Sequence, residues 1–234
     1  MNNIDFKALD LVIFDLDGTL VDSAPDLALA INNMLQDLER STFAQELVCS
    51  WVGNGAEVLV RRALSGSSEI KDSIDEALYL KARTSFNHHY AQGLWINSSL
   101  YDGAIEALEL LKQHHIPMAL VTNKPLEFTL ELLKLAHLES YFEMVLGGDC
   151  LAEKKPSPLP LLHVLSNLGA RASHTLMVGD SRNDIEAAKA ASCPSLGLSY
   201  GYNYGEDIAS YGPDYTSDNL HSFFHQALNL VGSK

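Results

Sequence analysis

From about residue 101 the chain alternates short apolar runs with helical patterns, and this alternation constrains the fold more tightly than any other feature. The apolar runs Met118–Thr122, Met144–Gly147, Thr175–Gly179 and Ser195–Leu198 predict strands. Between them, helices are predicted near Gly103–His115, Pro125–His137, Ser157–Leu168 and Arg182–Ser192, with Pro125 and Ser157-Pro158 as helix starts. Strands joined by helices pair in parallel, and such a sheet must be covered on both faces. Leu11-Val12-Ile13-Phe14 adds a further strand. The predicted class is α/β, a doubly wound, Rossmann-like parallel sheet.

The stretch from Ala24 to Trp95 breaks this rhythm. It reads as Ala24–Leu38, Gly55–Ser65 and Ser73–Gln92, helix after helix without a convincing strand. An all-helical block placed straight after the first strand is expected to be an inserted cap, with Gly93 to Gly103 as its return hinge. The expected division is a catalytic core of residues 1–20 and 98–234 and a helical cap of residues 21–97. A single larger domain with extra helices is the alternative.

Composition narrows the function classes. Sixteen Lys and Arg face 30 Asp and Glu, a net charge of −14 that repels nucleic acid and anionic membranes. The first ten residues already hold Asp5, Lys7 and Asp10, unlike a signal peptide. The first apolar run is four residues long, against roughly 20 for a membrane span. A cytoplasmic location is therefore expected. Cys49, Cys150 and Cys193 make no framework or CxxC spacing and are expected to be small buried residues of a reducing compartment. The adjacent pairs His88-His89 and His114-His115 diverge on a helix, which argues against shared metal ligation. No heptad or long apolar stripe appears, so a monomer or small homo-oligomer is expected.

The chemistry concentrates in Phe14-Asp15-Leu16-Asp17-Gly18-Thr19-Leu20-Val21-Asp22-Ser23. Two carboxylates follow a buried strand, and Gly18 lets the backbone turn away. Asp15 falls at the carboxyl end of the strand, where open α/β sheets bind ligands. An ionised aspartate there can act as a covalent nucleophile. Asp22 and Ser23 are candidate helix-capping residues. Thr122-Asn123 and Gly179-Asp180 also end predicted strands, so one rim of the sheet gathers these polar groups.

The ten-residue string resembles the signature of the haloacid dehalogenase superfamily, and three further motifs follow in the family's order. They are Thr122-Asn123, Lys155-Pro156 and Val178-Gly179-Asp180-Ser181-Arg182-Asn183-Asp184. The resemblance implies Asp15 as nucleophile and Asp17 as general acid and base. It implies Mg²⁺ held by Asp15, by the backbone carbonyl of Asp17 and by Asp180. Thr122 and Asn123 would bind phosphoryl oxygens, and Lys155 would neutralise their charge. Asp184 either orients the metal's surroundings through water or favours the dipole of its own helix.

Asp17 argues for phosphoryl transfer over dehalogenation, which needs neither that acid nor a metal. Trp51-Val52-Gly53-Asn54-Gly55-Ala56, Val60-Arg61-Arg62-Ala63-Leu64, Gly147-Gly148-Asp149 and Tyr200 to Glu206 resemble bacterial phosphoglycolate phosphatases. The implied substrate is 2-phosphoglycolate, a small anionic ester. Gly53 and Gly55 would let a cap loop approach the site, and Arg61 or Arg62, at most one of them, would pair with the substrate carboxylate. Tyr200–Tyr204 is read as a packed loop. Asp102 stands where the family often has proline, which would loosen the return linker. The competing readings are a phosphotransferase of the β-phosphoglucomutase type, a phosphatase for another small ester, and a non-catalytic binding protein. Every catalytic motif is intact, against the last.

Overall fold

The computed structural model describes residues 4–229. Its main sheet has six parallel strands: β1 (Leu11–Phe14), β4 (Met118–Val121), β5 (Met144–Leu146), β6 (Thr175–Gly179), β7 (Ser195–Leu198) and β8 (Tyr215–Ser217). Their order is β5-β4-β1-β6-β7-β8, which places β1 in the interior between β4 and β6. All four β1 residues are buried. Alternate side chains serve opposite faces, as a pleated strand requires. Val12 and Phe14 join one apolar cluster with Leu120 and Val178, whereas Leu11 and Ile13 join another with Ala119 and Met177.

The covering helices are α5 (Ala104–Gln113), α6 (Leu126–Leu135), α7 (Leu159–Leu168), α8 (Arg182–Ala190) and α9 (Leu220–Asn229). The expected helices run on to His115, His137 and Ser192, but each of these three has positive φ, and there the chain turns out of the helix. Edge strand β8 was not anticipated, because Tyr-Thr-Ser is too short and polar to signal a strand. Helix α9 was likewise unread.

The insert leaves the core along β2 (Val21–Asp22) and returns along β3 (Ser99–Leu100). These pair antiparallel, Val21 opposite Leu100 and Asp22 opposite Ser99. Between them lie α1 (Ala24–Asp37), α2 (Gln45–Cys49), α3 (Ala56–Ser65) and α4 (Glu76–Gly93), all helical as expected, with α2 an addition. Met34, Leu35, Val60 and Phe86 pack their interior, and Trp51 meets Phe43 edge-on at 5.2 Å.

Buried Asp26 on α1 ties the return linker down. Its carboxylate accepts from the backbone N–H groups of Ile96, Asn97 and Ser98 at 2.8–3.1 Å. It also accepts from the Asn97 amide at 2.9 Å and the Ser98 hydroxyl at 2.5 Å. Beyond the linker, the Asn219 amide donates to the carbonyl of Asp102 at 3.1 Å, so this position is anchored without proline. Cys193 is buried, but Cys49 and Cys150 are only half-buried, a correction to the expectation for all three. No helix among the described residues is long and apolar enough to cross a membrane.

Candidate active site

Register brings the site together. Phe14 pairs with both Leu120 and Val178, so β1, β4 and β6 end side by side. The next residues on β1 and β4 are Asp15 and Thr122, and Asp180 follows Gly179 at the end of β6. The sheet ladder runs on into the site: Asp15 N–H donates to the Val178 carbonyl at 2.9 Å, and Thr122 N–H to that of Leu146 at 3.0 Å. Gly18 then turns the chain at φ +87°, and a Cβ on it would lie 2.3 Å from Asp180 Oδ2. No side chain fits there.

Asp15 is 8% exposed, and Asp180, Asp184 and Lys155 are buried beside it. Lys155 Nζ lies 2.9 Å from Asp15 Oδ1 and 2.6 Å from Asp184 Oδ1, and it donates to the Val121 carbonyl at 2.6 Å. The approach to Asp15 is off the hydrogen-bonding direction, so Asp15 Oδ1 has an ionic neighbour without a directed donor. Burial pushes the Asp15 carboxyl up to about 6, with Lys155 opposing and Asp184 reinforcing the rise. Burial, then Asp184 and Asp15, likewise hold Asp180 well above the usual carboxylate range. Burial disfavours the Lys155 ammonium, yet Asp15 and Asp184 outweigh it and raise its pKa.

Three buried carboxylates thus cluster, and two of them, Asp15 and Asp184, meet one lysine. Asp15, Asp180 and Asp184 each offer an oxygen within 4.8 Å of the others. An all-oxygen donor set with surplus negative charge and one oxygen lacking a directed donor fits a hard divalent cation. Asp180 is oriented by the Thr19 hydroxyl at 3.0 Å and by Tyr202 N–H at 2.8 Å. Asp184 is more committed: Oδ2 accepts from Ser181 N–H at 3.0 Å and Ser181 Oγ at 2.7 Å, and Oδ1 takes Lys155.

The Asp17 side chain turns away from this cluster. It accepts two bonds from Lys124 Nζ, at 2.8 and 3.0 Å, and one from Ser23 Oγ at 2.5 Å. Lys124 is buried, and its ammonium sits 4.9 Å from the Tyr90 ring centroid. Burial opposes this charge, but Asp17 more than compensates and raises the lysine's pKa. Sequence reasoning missed Lys124 as a site residue. Its place directly after Thr122-Asn123 at a strand end was the available signal, since that position carries the side chain onto the same rim.

The insert roofs this rim. Leu27, Val52, Leu59, Phe86 and Tyr90 line a cavity together with Asp15, Asp17, Thr122, Asn123 and Lys124. Gly53 and Gly55 come close, as their smallness suggests. Gly53 O accepts from the Asn123 and Asn183 amides, each at 3.2 Å, and a Cβ at Gly53 would meet Tyr204 Oη at 2.7 Å. The other acceptor of Asn123 Nδ2 is Lys155 O at 3.0 Å, so this side chain joins the Lys155 loop to the insert. Thr122 Oγ1 accepts from Lys124 N–H at 3.2 Å and keeps its proton for donation.

Neither arginine reaches the cavity. Arg61 pairs with Glu57 at 3.2 Å and Glu76 at 3.0 Å and stacks on Tyr79. Arg62 donates to Trp51 O at 2.7 Å and Asn54 Oδ1 at 3.1 Å, bracing the loop that carries Gly53. Tyr200 and Tyr202 pack as a loop, with Tyr200 Oη donating to Thr19 O and Tyr202 Oη to Asp22, both at 2.7 Å.

The model of the family described as haloacid dehalogenase-like hydrolase matches residues 12–198. The chain belongs to this family. It is 51% identical over 211 residues to the phosphoglycolate phosphatase of Colwellia psychrerythraea (strain 34H), covering 90% of this chain and 93% of that one. It is 47% identical to the phosphoglycolate phosphatase of Aliivibrio fischeri (strain ES114), covering 92% and 95%. The crystal structure of a predicted phosphoglycolate phosphatase from Haemophilus somnus 129pt superposes with a TM-score of 0.88 at 38% identity, covering 93% of this chain and 97% of that chain. As a haloacid dehalogenase-like hydrolase with such relatives, the chain is a phosphatase, and its acidic cluster suits the metal ion that phosphatases of this family generally use.

Proposed function

We propose that this phosphatase hydrolyses 2-phosphoglycolate to glycolate and inorganic phosphate, with Mg²⁺, through a phosphoryl group carried on Asp15. The observation that carries the reading is the pairing of two carboxylates in one roofed cavity. Asp15 is held against Lys155, and Asp17 sits on the cavity side, two residues on. The relatives named phosphoglycolate phosphatase match 90% or more of the chain, insert included.

An Asp15 oxygen attacks phosphorus while the bond to the leaving oxygen breaks, and Asp17 supplies that oxygen's proton. Water then attacks phosphorus, Asp17 takes the proton, and the bond to Asp15 breaks to release phosphate. Lys155 offsets charge on the transferred group, and the Thr122 hydroxyl donates to it. Asn123 acts by holding the Lys155 loop to the insert. Mg²⁺, held by Asp15, Asp180 and the backbone carbonyl of Asp17, would screen the repulsion between carboxylate and phosphate. Asp184 positions Lys155. In this reading residues 21–97 are the cap, which excludes bulk water during attack. The half-buried thiols suit a reducing, cytoplasmic compartment.

The test is phosphate release from 2-phosphoglycolate beside sugar and nucleoside phosphates, with Mg²⁺ and with chelator. The expected result is metal-dependent release with kcat/KM at least tenfold higher for phosphoglycolate, about 1.4 kcal/mol of discrimination. Preference for another ester overturns the substrate, and undiminished release in chelator overturns the metal. A requirement for a bisphosphorylated activator would make the enzyme a mutase.

A further inference from the structure

Lys124 is buried, charged and unused by the steps above. Of the described residues that line the cavity, it alone is a cation. Lys155 lies beneath, engaged by Asp15 and Asp184, and both cap arginines are turned elsewhere. Apart from Asp17, which pairs with it, and the neighbouring Thr122 and Asn123, Lys124 shares the cavity wall with the rings of Phe86, Tyr90 and Phe128, the Tyr90 centroid 4.9 Å from the ammonium. An anionic group entering that wall has one partner available.

Position decides which anion. Lys124 Nζ is 2.8 and 3.0 Å from the two oxygens of Asp17. Asp17, as the acid, must hydrogen-bond the leaving oxygen at about 2.7 Å. The ammonium therefore lies within about 6 Å of that oxygen. In 2-phosphoglycolate the carboxylate carbon is two bonds from the leaving oxygen, which is the same reach. A sugar phosphate puts a ring and hydroxyls there, against Phe86 and Phe128, and offers the ammonium only neutral acceptors in place of a carboxylate.

We propose that Lys124 is the residue that recognises the carboxylate of the substrate, binding it beside Asp17 and selecting short phosphorylated hydroxy acids over phosphate esters that lack a carboxylate. The inference rests on the phosphoglycolate reading above and assigns to Lys124 the role that sequence reasoning gave to Arg61 or Arg62.

The experiment is a substrate–variant cycle: wild type and Lys124→Met, each with 2-phosphoglycolate and with ethyl phosphate, which has a similar carbon frame and no carboxylate. Any disturbance of Asp17 slows both substrates and cancels in the ratio. The expected result is that Lys124→Met lowers the preference for phosphoglycolate over ethyl phosphate by at least about 30-fold, mostly through KM, as befits removal of a charge-assisted hydrogen bond from a buried site. An unchanged ratio overturns the proposal. If wild type shows no preference for phosphoglycolate, the substrate reading fails first, independently of Lys124. Should Lys124→Met not fold, Lys124→Gln serves, with glycolate and inorganic phosphate as competitive inhibitors. Loss of glycolate inhibition with phosphate inhibition retained supports the assignment, and equal retention of both overturns it.

Discussion

The floor and the roof of the cavity are built on different principles. On the floor each acidic side chain has a named partner. Asp180 is held by Thr19 and Tyr202, Asp184 by Ser181 and Lys155, and Asp15 by the charge of Lys155. The roof supplies Leu27, Val52, Leu59 and Phe86, which have shape and no charge. Under the proposed function the floor would carry out the reaction, and the roof, with one lysine at the boundary, would filter what reaches it. The two halves touch through backbone, as at the Gly53 carbonyl, and through side chains, as where Tyr90 meets Phe128 edge-on at 5.1 Å.

The sharpest break of this contrast comes at the floor. Asp15→Asn should reduce turnover by at least about 10³-fold, because the amide cannot attack phosphorus. The same change should stabilise the metal-free protein at pH 7, by about 1–3 kcal/mol in chelator melts. The sign follows from the raised pKa. Between the ordinary value of 3.8 and about 6 the folded state keeps a proton that the unfolded state releases, so wild-type stability falls as pH rises through that window. At pH 4 the gap between variant and wild type should nearly close, and a gap that widened there would contradict the burial argument.

Next is the stem of the insert. Asp26→Ala takes the shared acceptor away from the backbone donors of residues 96–98 and should cost about 1–3 kcal/mol in a denaturant titration, while Asp26→Asn should cost less. Smaller is Gly53→Ala, at φ +119° with Tyr204 Oη in the way. It should raise KM by about tenfold with less change in global stability, since about 1–2 kcal/mol of strain falls where floor meets roof. The smallest effect is expected for Arg61→Ala, whose partners Glu57 and Glu76 are exposed. Change of less than about threefold in kcat/KM fits exposed ion pairs, and a larger loss confined to phosphoglycolate would restore the arginine reading.

The floor was legible in the sequence, and the roof much less so. Asp15, Thr122 and Asp180 could be placed because a strand end fixes where the next side chain goes, and the strands themselves are short apolar runs. Helical patterns likewise revealed α1, α3 and α4. Which face of a helix meets a partner, and where a loop side chain turns, both depend on tertiary packing, so Arg61 on α3 and Lys124 in the loop before α6 could not be sorted from spacing alone. Arg61 follows cap glycines and invites a ligand, yet neighbouring glutamates on α3 and α4 claim it. Lys124 directly follows the Thr122-Asn123 motif and was not read as a site residue. Strand β8 escaped because a three-residue edge strand carries too little apolar signal, and its pairing with β7 is a tertiary fact.

The paired β2 and β3 strands have a consequence for descent. The chain enters and leaves the insert through adjacent, hydrogen-bonded residues, Asp22 opposite Ser99. An exchange of everything between those two points would leave the ends where the core needs them, a few ångströms apart. The rim carboxylates lie outside the exchanged segment, and so does Lys124. Lineages could thus trade roofs as a cassette while inheriting the same chemistry, with new substrates arriving through recombination at one narrow stem.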